Sequence, residues 1–214
     1  MDEGSFFPPV PAADRDIDDM DAPAAAGPSW WRPGDLELPG GLDWVTVIGS
    51  SSNTLVSLES WRVSSQGTVF SLAIRAGERG RRARRALWTA LGVHHGRGEL
   101  AMLLPPGGLK FGFEFADGRR VTSLDDGGWQ TMPEGTSPAD YAPSHPCLEG
   151  VGRSTSGAST WQRDVWLWPL PPPGILTVVC SWPDRDISET RTELNADDLL
   201  AASMRARPVL NPAD

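Results

Sequence analysis

Residues 109–124 read LKFGFEFADGRRVTSL, and this stretch decides the class of fold. Phenylalanine occupies every second position from 111 to 115, and the residues between are polar or glycine. A period of two is typical of a β-strand with one buried face. Asp117-Gly118 then leads into a second short strand-like run, and two such runs joined by Asp-Gly strongly favour a β-hairpin. The stretch therefore predicts an antiparallel β fold.

Runs of the same kind lie on both sides of this hairpin. GTVFSLAIRA (67–76) alternates with the same period, while TWQRDVWLWP (160–169) and ILTVVCSWP (175–183) flank the segment LPPPG. Proline lacks the N–H donor that a strand interior needs, so LPPPG is predicted to be a stiff connection. The residues expected in the core from these runs are Phe70, Leu72, Ile74, Trp161, Val165, Leu167, Leu176, Val178, Cys180 and Trp182.

The end of the chain predicts one polar strand followed by a helix. ETRTEL (189–194) suits an edge strand because it is short and charged. Asn195 is a predicted N-cap, and the two aspartates that follow would complement the helix dipole. The helix is expected over 196–207, with Leu199, Leu200 and Met204 as its buried stripe.

Two inserts interrupt the strand pattern. Residues 77–108 contain apolar residues at helical spacing, which predicts one short amphipathic helix over 81–92. Residues 125–159 are irregular and rich in Gly, Ser, Thr and Pro, and loops of that length are commonly functional or disordered. About seven short strands with turn signals are typical of a sandwich. We therefore predict a mostly β fold, an antiparallel β-sandwich with a short inserted helix and a C-terminal helix.

Length and charge bound the organisation of the chain. It has 214 residues and a net charge of −9, which suits one domain with a sizeable core and disfavours whole-molecule attraction to nucleic acid or an anionic membrane. Residues 1–29 hold seven acidic residues and one arginine, a net of −6, and few large apolar side chains. They are predicted to be a disordered acidic tail ahead of a single domain over 30–210. The alternative is an acidic docking peptide anchored by Phe6 and Phe7.

The expected location is the cytoplasm. No run approaches about 18 apolar residues, so no transmembrane helix is predicted. The first 30 residues lack a basic region followed by an apolar one, which argues against a secretory signal. Two cysteines, Cys147 and Cys180, are too few for a disulfide framework and are expected to stay reduced.

Signatures of catalysis and metal binding are missing from the sequence. No nucleophile elbow, phosphate-binding loop, zinc-protease motif or dinucleotide fingerprint occurs, so we predict no catalytic residue and no cofactor. Zinc would accept His94, His95, His145 and Cys147, but their spacing is not that of a zinc site, and no metal is predicted. The alternative is an enzyme or small-ligand site beneath loop 125–159, with His145 as its base.

Two features are candidates for binding a partner. Trp166 and Trp168 share the strand face opposite the predicted core, and tryptophan is enriched at protein-binding hot spots. They could instead be covered by the long loops. The second feature is a run of arginines at Arg79, Arg81, Arg82, Arg84 and Arg85. This run could pair with an acidic protein or the acidic tail, or be a solvated helix face, and weak nucleic-acid association is a less favoured alternative.

Three segments also carry a resemblance. EFADGRR (114–120), VWLWPLPPPG (165–174) and VCSWPDRDISETRTELNADDLLAASMRA (179–206) resemble a group of actinobacterial β-rich proteins that share F-A-D-G, W-P-L-P-P-P-G and W-P…E-T motifs. The resemblance covers most of 40–207 and implies a compact intracellular β-rich domain, but no activity, cofactor or site residue. We therefore expect a non-enzymatic protein-interaction domain that binds a protein partner or itself. Its predicted binding residues are Trp166, Trp168, Arg81, Arg82, Arg84 and Arg85.

Overall fold

The structure, a computed structural model, describes residues 27–78, 80–91, 107–157 and 159–209. The predicted tail over residues 1–29 lies outside these ranges except for its last three residues, which lead into a turn at 29–31.

The larger of two main sheets has six antiparallel strands. They are β2 (Gly40–Leu42), β3 (Thr46–Ser50), β4 (Thr54–Val63), β5 (Thr68–Ala76), β8 (Cys147–Ser156) and β9 (Thr160–Trp168). The order across the sheet is β2-β4-β5-β9-β8, and β3 pairs with β4 beside β2. Strand β5 therefore lies at the centre of this sheet, between β4 and β9.

The smaller main sheet has four antiparallel strands. They are β6 (Lys110–Glu114), β7 (Arg120–Thr122), β10 (Ile175–Trp182) and β11 (Ile187–Asn195). The order is β11-β10-β6-β7, so β6 and β7 form the predicted hairpin and the polar β11 is an edge strand, as expected. A separate two-stranded ribbon joins β1 (Glu37–Leu38) to β12 (Arg207–Pro208). The α-helices in the described ranges are α1 (Arg81–Ala90), α2 (Gly128–Thr131) and α3 (Ala196–Ser203).

The main core lies between the two sheets, which confirms the predicted antiparallel sandwich. Phe70 of β5 packs edge-on against Phe113 of β6, with ring centroids 5.3 Å apart, and stacks at a tilt on Trp61. Every residue that the strand patterns assigned to the core is buried there. Alternation in the sequence is sufficient to predict these buried residues, because the apolar side chains of each strand lie on one face of it.

Strand β5 is buried on both faces. Its inner side chains, such as Phe70, belong to the main core, while Val69, Ser71 and Ala73 point the other way and are buried as well. A strand of an antiparallel sandwich usually has one solvated face. The outer face of the larger sheet must therefore be covered at its centre by other parts of the chain.

The C-terminal helix differs from its prediction at its end. Asn195 is the N-cap, and its side-chain oxygen accepts the N–H of Asp197 at 3.1 Å. The helix ends at Ser203, four residues before the predicted end, and Met204 is 85% exposed, so its assignment to the buried stripe is wrong. The buried face is formed by Ala196, Leu199 and Ala202, which lets the helix approach β2 closely.

The two predicted inserts have different outcomes. Helix α1 confirms the short helix near 81–92, and Leu87 and Leu91 fix it to the main core. None of the helices in the described ranges is long and apolar enough to cross a membrane. The prediction that 125–159 is irregular throughout is wrong, because β8 is a ten-residue strand within it. Its glycines and serines hide the alternation, and an edge position tolerates them because only one neighbour, β9, must be matched.

Candidate functional site

Trp166 is not on the surface, so its prediction as a contact residue for a partner is wrong. The residue is 0% exposed, and its indole N–H donates a hydrogen bond to the carbonyl of Ser29 at 3.0 Å. It lies on the outer face of the larger sheet, as predicted, between Val69 and Glu149 on the neighbouring strands. Trp168 is half-buried, and its indole nitrogen has no hydrogen-bond partner among the described residues.

An aromatic cover lies next to Trp166, because Ser29, which accepts its indole N–H, directly precedes Trp30. Trp30 packs edge-on against Trp129 and Tyr141, with ring centroids 5.0 and 5.8 Å apart, and donates its indole N–H to the carbonyl of Tyr141 at 2.8 Å. The buried carboxylate of Glu149 accepts the N–H of Gly128 at 3.0 Å. Aromatic rings therefore occupy the region beneath the loop where a small-ligand site was the alternative prediction.

Cys147 is the one thiol among the candidate ligands near this loop, and its surroundings keep it protonated. Cys147 is buried, and burial, together with the charges of Glu149 and Asp125, raises the pKa of its thiol to about 12. A protonated thiol is neither a good nucleophile nor a metal ligand. His145 is half-buried beside it, while His94 and His95 lie outside the described residues. Within the described ranges, no three His, Cys, Asp or Glu side chains group as a metal site.

The arginine run is placed on helix α1. The side chains of Arg81, Arg82 and Arg85 are exposed, as a binding surface requires, while Arg79 and the side chain of Arg84 lie outside the described residues. The nearest acidic residue in the sequence, Glu78, accepts hydrogen bonds on both carboxylate oxygens from Nη1 of Arg185, at 2.8 and 2.9 Å. Helix α1 thus carries three exposed arginine side chains.

The outer face of the smaller sheet contains a groove. None of the sequence patterns indicated a site there. The groove encloses about 290 Å³. The register places three rows of side chains across the four strands. The row along its centre consists of Thr122, Gly112, Val179 and Arg191; the flanking rows consist of Arg120, Glu114, Thr177 and Glu193 on one side and of Lys110 and Ser181 on the other. Leu124 and Glu189 complete the rim beside the last row.

The floor of this groove is low because position 112, at its centre, is a glycine. A Cβ at this position would lie 2.5 Å from the carbonyl oxygen of Val121 and 3.0 Å from the Cα of Thr122. These are backbone atoms that cannot move without opening the sheet, so a side chain at 112 is excluded sterically. Gly112 and Val179 thus leave a shallow depression surrounded by longer charged side chains.

The charges on the rim are organised around Glu114. Its two carboxylate oxygens accept hydrogen bonds from Arg120 at 2.7 Å and Arg191 at 3.2 Å. These bonds, the one from Arg120 most of all, hold the pKa of Glu114 below its usual value. The rim carries three cations, with Lys110 as the third, against the carboxylates of Glu114 and Glu189. Its net charge is therefore +1, in a chain whose net charge is −9.

Comparison of the chain with models of known protein families, with curated proteins and with solved structures finds no match.

Proposed function

We propose that this chain is a non-enzymatic interaction domain that binds an acidic segment of a protein partner in the groove of the smaller sheet. The observation that carries the proposal is a rim with a net charge of +1, made of Lys110, Arg120 and Arg191 with the carboxylates of Glu114 and Glu189, around an uncharged, partly apolar floor. The side chains of Arg120 and Arg191 are 69% and 57% exposed, so those of their N–H donors that do not bond to Glu114 or Glu189 can reach a ligand. Carboxylates are the natural partners of such donors.

The groove suits an extended peptide better than a nucleic acid. The carboxylates of Glu114 and Glu189 would repel a continuous line of phosphates, and so would the net charge of the whole chain. A peptide can place separate carboxylates on the arginines and an apolar side chain on Val179 or Leu124. Same-face side chains of an extended peptide recur about every 7 Å, which matches the spacing between rows of the sheet below it.

We also propose that the protein acts in the cytoplasm and that it belongs with the actinobacterial proteins it resembles. The free thiols of Cys147 and Cys180 support an intracellular location, since both are buried and unpaired. Helix α1 supports the proposed interaction role as a second basic surface, through Arg81, Arg82 and Arg85.

Fluorescence anisotropy with a labelled acidic peptide, Glu-Ser-Glu-Leu-Glu-Ser-Glu, tests the groove in the full-length protein. We expect the double variant Arg120→Gln and Arg191→Gln to weaken binding by about tenfold. Each exposed charge pair with the peptide is worth about 0.7 kcal/mol, and the loss of two pairs corresponds to about tenfold in the dissociation constant. The fold is expected to persist because both side chains are exposed. Urea unfolding verifies that it does.

The matched control is the double variant Arg81→Gln and Arg82→Gln, which removes the same charge from α1. It should leave the affinity within about twofold, because neither arginine lines the groove. The same peptide with Gln in place of Glu should not bind. Equal weakening by the two double variants would show that only general charge matters, and the proposal would fail.

A further inference from the structure

We propose that Arg163 binds the carboxylate of a small organic acid at the β8 edge of the larger sheet, in a site separate from the groove. In the alternation of β9, Arg163 lies on the same face as Trp161, Val165 and Leu167. Those three side chains belong to the main core between the sheets. A charged side chain therefore occupies a position where the rest of the strand face is apolar.

The guanidinium group of Arg163 is partly removed from solvent without gaining an acceptor. The residue is half-buried, and no hydrogen bond or ion pair joins its guanidinium to any part of the chain that the structure describes. Burial lowers the pKa of this group, and no carboxylate or carbonyl opposes that effect. By contrast, the guanidinium of Arg62 on the outer face of the same sheet pairs with Asp164 at 2.6 Å. A desolvated charge without a partner is costly, so Arg163 is suited to bind an anion from solution.

The backbone of β8 provides the space in which the guanidinium lies. A Cβ at Gly150 would be 2.6 Å from Cζ and 2.7 Å from Nε of Arg163. The guanidinium therefore lies directly against the glycine backbone, and any side chain at 150 would displace it. Because β8 is an edge strand, this position is open to a ligand that enters from the edge of the sheet.

A bulge in β8 lies opposite Arg163. Pairing with β9 is regular up to Val151 and resumes at Thr155, so residues 152–154 face Arg163 alone. Gly152 has a φ of +66°, a conformation that glycine adopts without strain. A bulge leaves backbone groups out of the ladder, and backbone N–H groups beside a guanidinium are further donors for an anion.

The neighbours of Arg163 define the class of ligand. On the inner face they are Trp161 and Val165 along the strand, Leu72 on β5 and Gly150 on β8. None of these side chains carries a charge. One cation in apolar surroundings favours a ligand with a single negative charge and an apolar body, because a doubly charged phosphate would retain an uncompensated charge. A guanidinium also matches the two oxygens of a carboxylate, so the expected ligand is a small aromatic or aliphatic monocarboxylic acid.

NMR titration of the isotope-labelled full-length protein with benzoate tests the site. At neutral pH we expect saturable shifts of the Nε–H signal of Arg163 and of the amide signals of Gly150 and Val165. Hexanoate should give the same pattern, because it shares the carboxylate and the apolar body. Inorganic phosphate should bind more weakly than either acid.

Two substitutions and two controls identify the group that binds. Arg163→Gln and Arg163→Lys should each weaken benzoate binding by at least about tenfold, since glutamine has no charge and lysine lacks the planar pair of donors. The matched control is Arg62→Gln, which removes the same charge from the opposite face of the sheet and should leave the affinity unchanged. The groove variant with Arg120→Gln and Arg191→Gln should also bind benzoate normally.

The variant Arg163→Met distinguishes a ligand site from a structural ion pair. If the guanidinium has no partner in the free protein, an apolar side chain of similar length removes an unpaired charge. The urea midpoint should then equal or exceed that of the parent protein, while benzoate binding is lost.

Four results would overturn the inference. The first is the absence of saturable shifts with both acids. The second is equal weakening by Arg163→Gln and Arg62→Gln, since general charge would then be sufficient. The third is a clearly lower urea midpoint for Arg163→Met, which would show that the protein itself supplies the partner. The fourth is phosphate binding as tight as benzoate binding, which would contradict the class of ligand. All four leave the proposed function standing, because the acidic peptide binds in the groove.

Discussion

Replacement of Trp166 by alanine is expected to destabilise the fold rather than to remove a binding surface. The side chain is fully buried beneath the aromatic cover, and its N–H bonds to Ser29 across 137 residues of sequence. Removing a buried tryptophan costs about 3–5 kcal/mol, from lost burial and the cavity that remains. That is a large part of the roughly 5–15 kcal/mol by which domains are stable.

A second substitution separates the hydrogen bond from the packing. Trp166→Phe keeps most of the ring but removes the N–H donor, which leaves the carbonyl of Ser29 without this partner. We expect a cost of about 1–2 kcal/mol, since a buried acceptor left unpaired loses about that much. The control is Leu36→Ala, an exposed apolar residue whose removal should change stability by less than about 0.5 kcal/mol.

Urea unfolding followed by circular dichroism measures all three variants. With a slope of about 2 kcal/mol per molar urea, the alanine variant should lower the midpoint by about 2 M and the phenylalanine variant by about 0.5–1 M. If both midpoints stay within about 0.2 M of the parent protein, the indole is not buried in solution and the cover over the larger sheet does not exist as described.

Three further predictions follow from other sites. Cys147 and Cys180 should not react with a thiol reagent at neutral pH in the folded protein and should react fully in urea, because the pKa of each is raised to about 12 by burial; rapid reaction of the native protein would contradict this. Arg120→Gln should raise the pKa of Glu114, measured by NMR titration, toward its usual value. Because the pKa of Glu114 is lowered in the folded state, its stabilising contribution is present above its unfolded pKa and is lost as the pH falls through the folded one; an unchanged Glu114 titration would refute the pairing. Asn195→Ala should cost about 1 kcal/mol in thermal or urea unfolding through loss of the α3 cap, whereas Asn195→Asp should cost little.

The sequence predicted the fold better than the site. The reason is that the fold follows from patterns of neighbouring residues, whereas the site depends on residues that are far apart in the sequence. Alternation is local, so it places the phenylalanines of 111–115 on one face of their strand without knowledge of any partner strand, and that face is buried. The burial of Trp166 depends on Ser29 and Trp30, which lie far away in sequence, so its strand face could be predicted but its cover could not. The groove depends on register across four strands. The sequence shows Lys110 and Glu114 only as polar residues on one face of β6. Their position beside Arg120 and Arg191 follows from the pairing of β6 with β7 and β10, which the sequence does not give.

The burial of β5 on both faces has a consequence for how this protein can vary. Six successive residues, from Val69 to Ile74, have almost no contact with solvent, and both edges of the strand are paired. Each position must therefore fit either the main core or the side chains on the outer face, such as Asp164, which bonds to Ser71, and volume changes in such packing are costly. Among chains of the same ancestry, this strand should keep its side-chain sizes while the grooves and surfaces around it diverge. Its amide protons should also be among the last to exchange with deuterated solvent, since they are released only when both layers open together.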